Sequence, residues 1–122
     1  MSCVLVVEDN DLNRRLFVDL LNTKGYTVIE ATDGLAALKL IQEKKPDLVL
    51  MDIQLPNVSG LEITRQIREN KSGPQPRIVA ISAFAMKQDA DKALEAGCDD
   101  YISKPISIGL FFQTIDKNLP KD

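Results

Sequence analysis

The chain reads as an α/β fold: a parallel sheet with helices packed on both of its faces. Short apolar runs alternate with segments of helical periodicity from end to end. The runs Cys3–Val7, Leu48–Met51 and Ile78–Ile81 are apolar almost without interruption, the pattern of strands buried on both faces. The 122 residues, 44% hydrophobic and 27% charged, suit one globular domain that buries about two-thirds of its unfolded surface.

Each element has its own signal. Cys3–Val7 is β-branched and apolar, a first strand. Asp11 offers a helix N-cap, and Leu12, Leu16, Phe17, Leu20 and Leu21 follow at helical spacing. Lys24-Gly25 closes that helix with a cation in the last turn and a C′ glycine. Tyr26 to Ala31 reads as a second strand and Asp33-Gly34 as a turn. Leu35, Leu38 and Ile41, with Ala36 and Ala37, predict a second helix ended by Pro46. Leu48–Met51 is the third strand, and Gly60 opens a helix through Ile63 and Ile67. Ser72-Gly73-Pro74-Gln75-Pro76 is a loop before the fourth strand, Ile78–Ile81. A helix from about Lys87 to Ala96 stops at Gly97, Asp100–Ser103 is a short fifth strand, and Ile108 to Leu119 is the last helix. Strands alternating with helices give a parallel sheet, and the most apolar runs belong at its centre. Periodicity leaves the strand order open.

Composition removes several functions. The net charge is −3, so no strongly basic nucleic-acid footprint is present. No stretch approaches the roughly 20 apolar residues of a membrane span, and no secretory leader pattern opens the chain. A cytoplasmic protein without nucleic-acid or membrane partners is expected. Histidine is absent, which removes Ser-His-Asp triads and histidine metal sites. Cys3 and Cys98 read as reduced, structural thiols.

In open parallel sheets ligands bind outside the carboxyl ends of the strands. Glu8 and Asp9 follow the first strand, Asp52 ends the third, Ser82 the fourth, and Lys104 follows the fifth. Singly each has a plain explanation: the acids of Glu8–Asp11 favour a helix start, and Asp52 could be a turn residue before Pro56. Their coincidence at one sheet edge argues for a site. Glu8, Asp9 and Asp52 would repel one another unless a cation sat among them. All-oxygen donors suit Mg²⁺, which is held by one or two carboxylates plus phosphate oxygens. With Lys104, the loaded pocket would be electrically balanced. Asp52, on the central strand, is the best nucleophile for an aspartyl-phosphate, and Ser82 and Lys104 suit the oxygens of a phosphoryl group.

The strings Val7-Glu8-Asp9-Asn10, Leu48–Pro56, Ile81-Ser82-Ala83 and Lys104-Pro105 closely resemble the response-regulator receiver domain of two-component signalling. That resemblance implies a flavodoxin-like (βα)5 fold with strand order 2-1-3-4-5 across residues 1–122, as a single receiver with no output domain. It implies phosphorylation at Asp52 and Mg²⁺, with Mn²⁺ as a substitute, held by Glu8, Asp9, Asp52 and the Gln54 backbone carbonyl. It makes Ser82, Ala83 and Lys104 the phosphate-binding and switch positions, Tyr101 the switch aromatic, and Lys104–Pro105 a cis peptide. It implies self-phosphotransfer and slow self-dephosphorylation rather than a turnover enzyme.

Longer strings, including Gly25-Tyr26, Ala83–Lys87 and Tyr101–Ser107, resemble DivK-type single-domain regulators of bacterial cell division and polarity. The partners implied are histidine kinases or histidine phosphotransfer proteins and a downstream target protein, with recruitment to the cell pole by partner kinases. The protein is expected to be a monomer, with a weak dimer through the output face as the alternative. That face would use Phe84, Met86, Tyr101, Ile108 and Phe112. Phe112 points about 100° from the face shared by Phe111 and Ile115, and is either a partner contact or packed on a neighbouring loop. Phe84 also borders the route of an attacking water and could shield a phosphoryl group. The rival readings are an excised receiver of a hybrid histidine kinase, a phosphorylation-independent binding module, and a haloacid-dehalogenase-type phosphatase. The last needs an acid where Gln54 stands. A dinucleotide module fails on the acidic turn Glu8–Asp11.

Overall fold

A computed structural model describes residues 2–83 and 87–119. Five parallel strands, β1 (Cys3–Val7), β2 (Thr27–Ala31), β3 (Leu48–Asp52), β4 (Arg77–Ser82) and β5 (Asp100–Ser103), form one sheet in the order β2-β1-β3-β4-β5. Each is followed by a helix: α1 (Asp11–Thr23), α2 (Gly34–Lys44), α3 (Gly60–Glu69), α4 (Lys87–Ala96) and α5 (Ile108–Asn118). The α/β architecture and the strand order are those expected.

Strand alternation divides the core in two. Leu5, Val7, Val49, Met51, Ile78 and Ala80 face Ala37, Ile41, Ile63, Ile67 and Ala93 of α2, α3 and α4. Val4, Val6, Leu48, Leu50, Val79 and Ile81 face Phe17, Leu21, Phe111 and Ile115 of α1 and α5. Phe17 and Phe111 stack with centroids 5.9 Å apart and join those two helices. All five residues of β1, apart from half-buried Cys3, and all five of β3 are buried. That is why their sequences lack polar alternation.

Several local expectations shift. Asn10, not Asp11, caps α1: Asn10 is extended and its side-chain oxygen accepts from the Asn13 N–H at 2.9 Å. Asp11 is the first helical residue and pairs with Arg14. Asp33 caps α2 by accepting from the Ala36 N–H at 2.8 Å, so Gly34 is helical rather than a turn residue. β2 starts at Thr27, leaving Tyr26 outside the strand, where its hydroxyl donates to Asp116 at 2.6 Å. Leu12 and Leu16 do not join the core; they are 81% and 44% exposed. Phe17 and Leu21 occupy the inward stripe of α1, and successive residues of a helix lie about 100° apart, so the Leu12/Leu16 pair turns outward. Leu35 is exposed for the same reason, with Ala37 and Ile41 inward.

The chain passes from β1 to one side as β2 and then crosses to the other as β3. This reversal opens a crevice at the carboxyl ends of β1 and β3. Val7 lies level with both Ala31 and Met51, Asp52 with Ile81, and Ser82 with Ser103. The polar residues beyond these strand ends therefore stand at one height.

Candidate functional site

Glu8, Asp9 and Asp52 converge at this crevice, with one carboxylate oxygen from each within 4.8 Å of the others. Glu8 and Asp52 are buried, at 1% and 3% exposure, while Asp9 is open to solvent. Ladder-like bonds continue past the strands and fix this edge: the Glu8 N–H donates to the Ala31 carbonyl at 3.1 Å, and the Ile53 N–H to the Ile81 carbonyl at 3.0 Å.

The two oxygens of Asp52 have different partners. Oδ1 accepts from the Gln54 N–H at 2.9 Å. Oδ2 faces the Lys104 ammonium at 3.5 Å. Lys104 Nζ also donates to Glu8 Oε1 at 3.0 Å. The lysine is carried by the turn after β5, where its N–H donates to the Ser82 carbonyl at 2.8 Å and its peptide to Pro105 is cis. Ser82 is buried at the end of β4, and Ala83 beside it is exposed. Tyr101 is half-buried on β5 against the α2–α4 side of the core.

Burial raises the Glu8 pKa to about 7, and a hydrogen bond shared with Asp52 adds to the shift, outweighing the opposing pull of Lys104. For Lys104, burial disfavours the ammonium, but Glu8 and Asp52 prevail and its pKa stands above the ordinary lysine value. The pocket thus holds more acid than its one lysine balances. Its donors are all oxygen and close together, which fits a hard divalent cation such as Mg²⁺.

Of the strand-end residues, Glu8, Asp9, Asp52 and Lys104 meet here, and Ser82 ends the adjacent β4 with its carbonyl bonded to the Lys104 N–H; Gln54 follows Asp52 and donates its N–H to it, and Ala83 lines the neighbouring groove. The suggested partner face is less uniform. Ile108 is exposed. Phe112 is half-buried, edge-on to Phe111 at 5.6 Å and covered by the Lys24 ammonium at 4.8 Å, which is the packed alternative. Phe84 and Met86 lie outside the described residues.

Sequence reasoning passed over two residues that shape the pocket. A Cβ on Gly60 would lie 2.3 Å from the Asp52 carbonyl oxygen, so only glycine lets α3 start so close to the Asp52 backbone. Arg14 drew no sequence-based expectation, and its guanidinium is folded over the β1–α1 turn. A groove beside the site is lined by Asn13, Leu16, Phe17, Ala83, Lys104, Pro105 and Ile106.

Acids at the ends of β1 and β3 with a lysine after β5 make a crevice chemically suited to a divalent cation and a phosphoryl group. The chain belongs to the response regulator receiver domain family, which it matches over residues 4–116. It is 48% identical to the polar-differentiation response regulator DivK of Brucella anthropi over 95% of this chain and 94% of that protein. Among solved structures it is similar to the receiver domain of a Pseudomonas aeruginosa sensor histidine kinase, which has a magnesium ion coordinated in its active-site cleft. There the TM-score is 0.86 and the identity 32%, covering 95% of each chain. It also resembles the receiver domain of a Saccharomyces cerevisiae response regulator co-crystallised with a histidine phosphotransfer signaling protein. That match has a TM-score of 0.87 at 32% identity, over 95% of this chain and 87% of the other. Receivers bind Mg²⁺ at an acidic site of this composition, and the Glu8, Asp9 and Asp52 cluster is its counterpart here. No helix among the described residues is long and apolar enough to cross a membrane.

Proposed function

We propose that the chain accepts a phosphoryl group on Asp52 from a phosphohistidine donor and thereby switches a protein-binding face in bacterial cell-division and polarity signalling. The observation that carries this reading is the division of labour at Asp52, with Oδ1 tethered to a backbone N–H and Oδ2 turned to Lys104 beside two further acids. In the transfer an Asp52 oxygen attacks phosphorus, an O–P bond forms, and the P–N bond to imidazole breaks. The released imidazole takes up a proton. Lys104 neutralises charge on the phosphoryl oxygens, and the Gln54 N–H holds the acceptor in line. Glu8, Asp9, Asp52 and the Gln54 carbonyl would hold Mg²⁺, or Mn²⁺ in its place; the ion would supply further neutralisation of phosphoryl charge.

The donor would dock beside the crevice. Leu12 and Leu16 are exposed on α1, and the groove from Leu16 to Ile106 leads to Lys104. An apolar surface flanking a phosphohistidine fits that strip. The 48% identity to a polar-differentiation regulator supports the cell-polarity assignment, with recruitment to the pole by partner kinases part of the same proposal. Phosphorylation would pull the Ser82 hydroxyl and its loop inward, letting Tyr101 turn and reshaping the face of α4, β5 and α5.

Intact-protein mass after incubation with Mg²⁺ and acetyl phosphate tests the chemistry. One added phosphoryl group is expected in the wild type, absent in Asp52→Asn and absent with chelator. No adduct in the wild type, with Mg²⁺ binding demonstrated separately and no beryllofluoride complex, would make the chain a phosphorylation-independent binding module.

A further inference from the structure

We infer that Arg14 is a positioning residue for the metal-ligand turn, an inference that rests on the Mg²⁺ reading above. Arg14 stands in the first turns of α1, where its own N–H makes a helical bond to the Asn10 carbonyl at 2.9 Å. Its side chain folds back over the β1–α1 turn and is only 16% exposed. All three guanidinium nitrogens are used. Nη1 donates to the Glu8 carbonyl oxygen at 3.0 Å. Nη2 donates to Asp11 Oδ1 at 2.6 Å, and Nε to Glu30 Oε1 at 3.1 Å.

The first of these bonds matters for the site. The Glu8 carbonyl belongs to the peptide joining Glu8 to Asp9, the two acids of the turn. That peptide is planar, so a donor fixed on its oxygen sets the plane and with it the direction in which Asp9 leaves the backbone. Asp9 is exposed, and among the described residues no hydrogen bond holds its carboxylate. Its aim depends on the backbone beneath it. Asp11 and Glu30 hold the guanidinium in its fork geometry, and both lie outside the acid cluster. Arg14 thus ties the turn to α1 on one side and to β2 on the other.

Positioning and charge predict opposite results. Removing a cation near an acidic pocket strengthens binding of another cation on Coulomb grounds. Releasing the turn weakens it, because the ligands lose their arrangement. The test is calorimetric titration of the full chain with Mg²⁺, at a temperature where circular dichroism reports each variant folded. Arg14→Met is expected to raise the Mg²⁺ dissociation constant about tenfold, the ordinary effect of removing a residue that orients a ligand. Arg15→Met removes the same charge one residue further along the exposed surface of α1 and is expected to leave the constant unchanged or lower it. Arg14→Lys keeps the charge but loses the fork, and is expected to weaken binding by a smaller factor. It decides the matter if Arg14→Met does not fold. Acetyl phosphate labelling of Arg14→Met should fall at limiting Mg²⁺ and recover at saturating Mg²⁺. An unchanged or lower dissociation constant in folded Arg14→Met, or in Arg14→Lys where that variant decides, overturns the inference. A wild type that binds no Mg²⁺ overturns the metal reading instead.

Discussion

Gly60→Ala tests how tightly the acceptor is held. The new methyl carbon would sit 2.3 Å from the Asp52 carbonyl oxygen and 3.0 Å from both the Asp52 carbonyl carbon and Ile53 Cα. Non-bonded heavy atoms settle at about 3.5 Å, so α3 and the β3 end must part by roughly 1 Å. The obstacle is backbone, which cannot swing aside as a side chain could. The Gly60 N–H bond to the Ile53 carbonyl, 2.9 Å long, would stretch as they separate. Overpacking of this kind costs about 1–3 kcal/mol, and Gly60 is the first residue of α3, where the helix-interior propensity gain of alanine is small. Displacing a reacting group by 1 Å can cost on the order of a hundredfold in rate. Urea unfolding should therefore report a loss of roughly 1–3 kcal/mol. The rate of acetyl phosphate labelling should fall by about tenfold to a hundredfold. Gly109→Ala is the control: nothing lies within 4 Å of a Cβ there, so that variant should gain about 0.4–1 kcal/mol. Gly60→Ala with wild-type stability and wild-type labelling would refute the claim that this contact holds Asp52.

Two other predictions address the pocket's charge and the donor strip. Glu8 has a pKa of about 7 against an ordinary 4.5, so its contribution to the metal-free protein's stability is present below pH 4.5 and lost as pH rises through about 7. Unfolding in chelator across that range should show this decline, and Glu8→Gln should flatten it; equal slopes in the two proteins would exclude Glu8 as the source. Leu12→Ser combined with Leu16→Ser should cost only about 1 kcal/mol of stability, since Leu12 is largely exposed and Leu16 is 44% exposed. It should slow transfer from a histidine phosphotransfer protein by about tenfold while labelling by acetyl phosphate is unchanged; equal slowing of both donors would mean that the pocket itself was damaged.

The sheet was legible because burial on two faces leaves a simple trace. A run such as Leu48–Asp52 has no polar alternation, and the acid at its end is conspicuous. Strand ends at one sheet edge then collect Glu8, Asp9, Asp52 and Lys104 whatever the helices do. The phase of α1 was not legible in the same way. Leu12/Leu16 and Phe17/Leu21 are both pairs four residues apart, and periodicity alone cannot say which turns inward. The choice is made by packing: Phe111 on α5 stacks on Phe17 and draws that pair into the core. Gly60 and Arg14 escaped for a related reason. A glycine at a helix start and an arginine on a helix surface carry no local mark of the Asp52 and Glu8 carbonyls they meet in three dimensions.

Formal charge explains why such a pocket can act as a switch. Three acids and one lysine leave an excess of two negative charges, which a single divalent cation cancels. A phosphoryl group on Asp52 replaces one negative charge with nearly two. The balanced pocket then carries roughly one uncompensated negative charge in a buried place, where such a charge is costly. The charge of Lys104, which faces both Glu8 at 3.0 Å and Asp52 at 3.5 Å, is already counted in that balance. The relief must come from donors that can move closer, and the chain places the buried Ser82 hydroxyl at the neighbouring strand end. The Ser82 carbonyl is bonded to the Lys104 N–H, so a shift of Ser82 would bear on the residue that follows β5, the strand that carries Tyr101. On the proposed phosphorylation, a change of about one charge at Asp52 would reach the β5 face along this path.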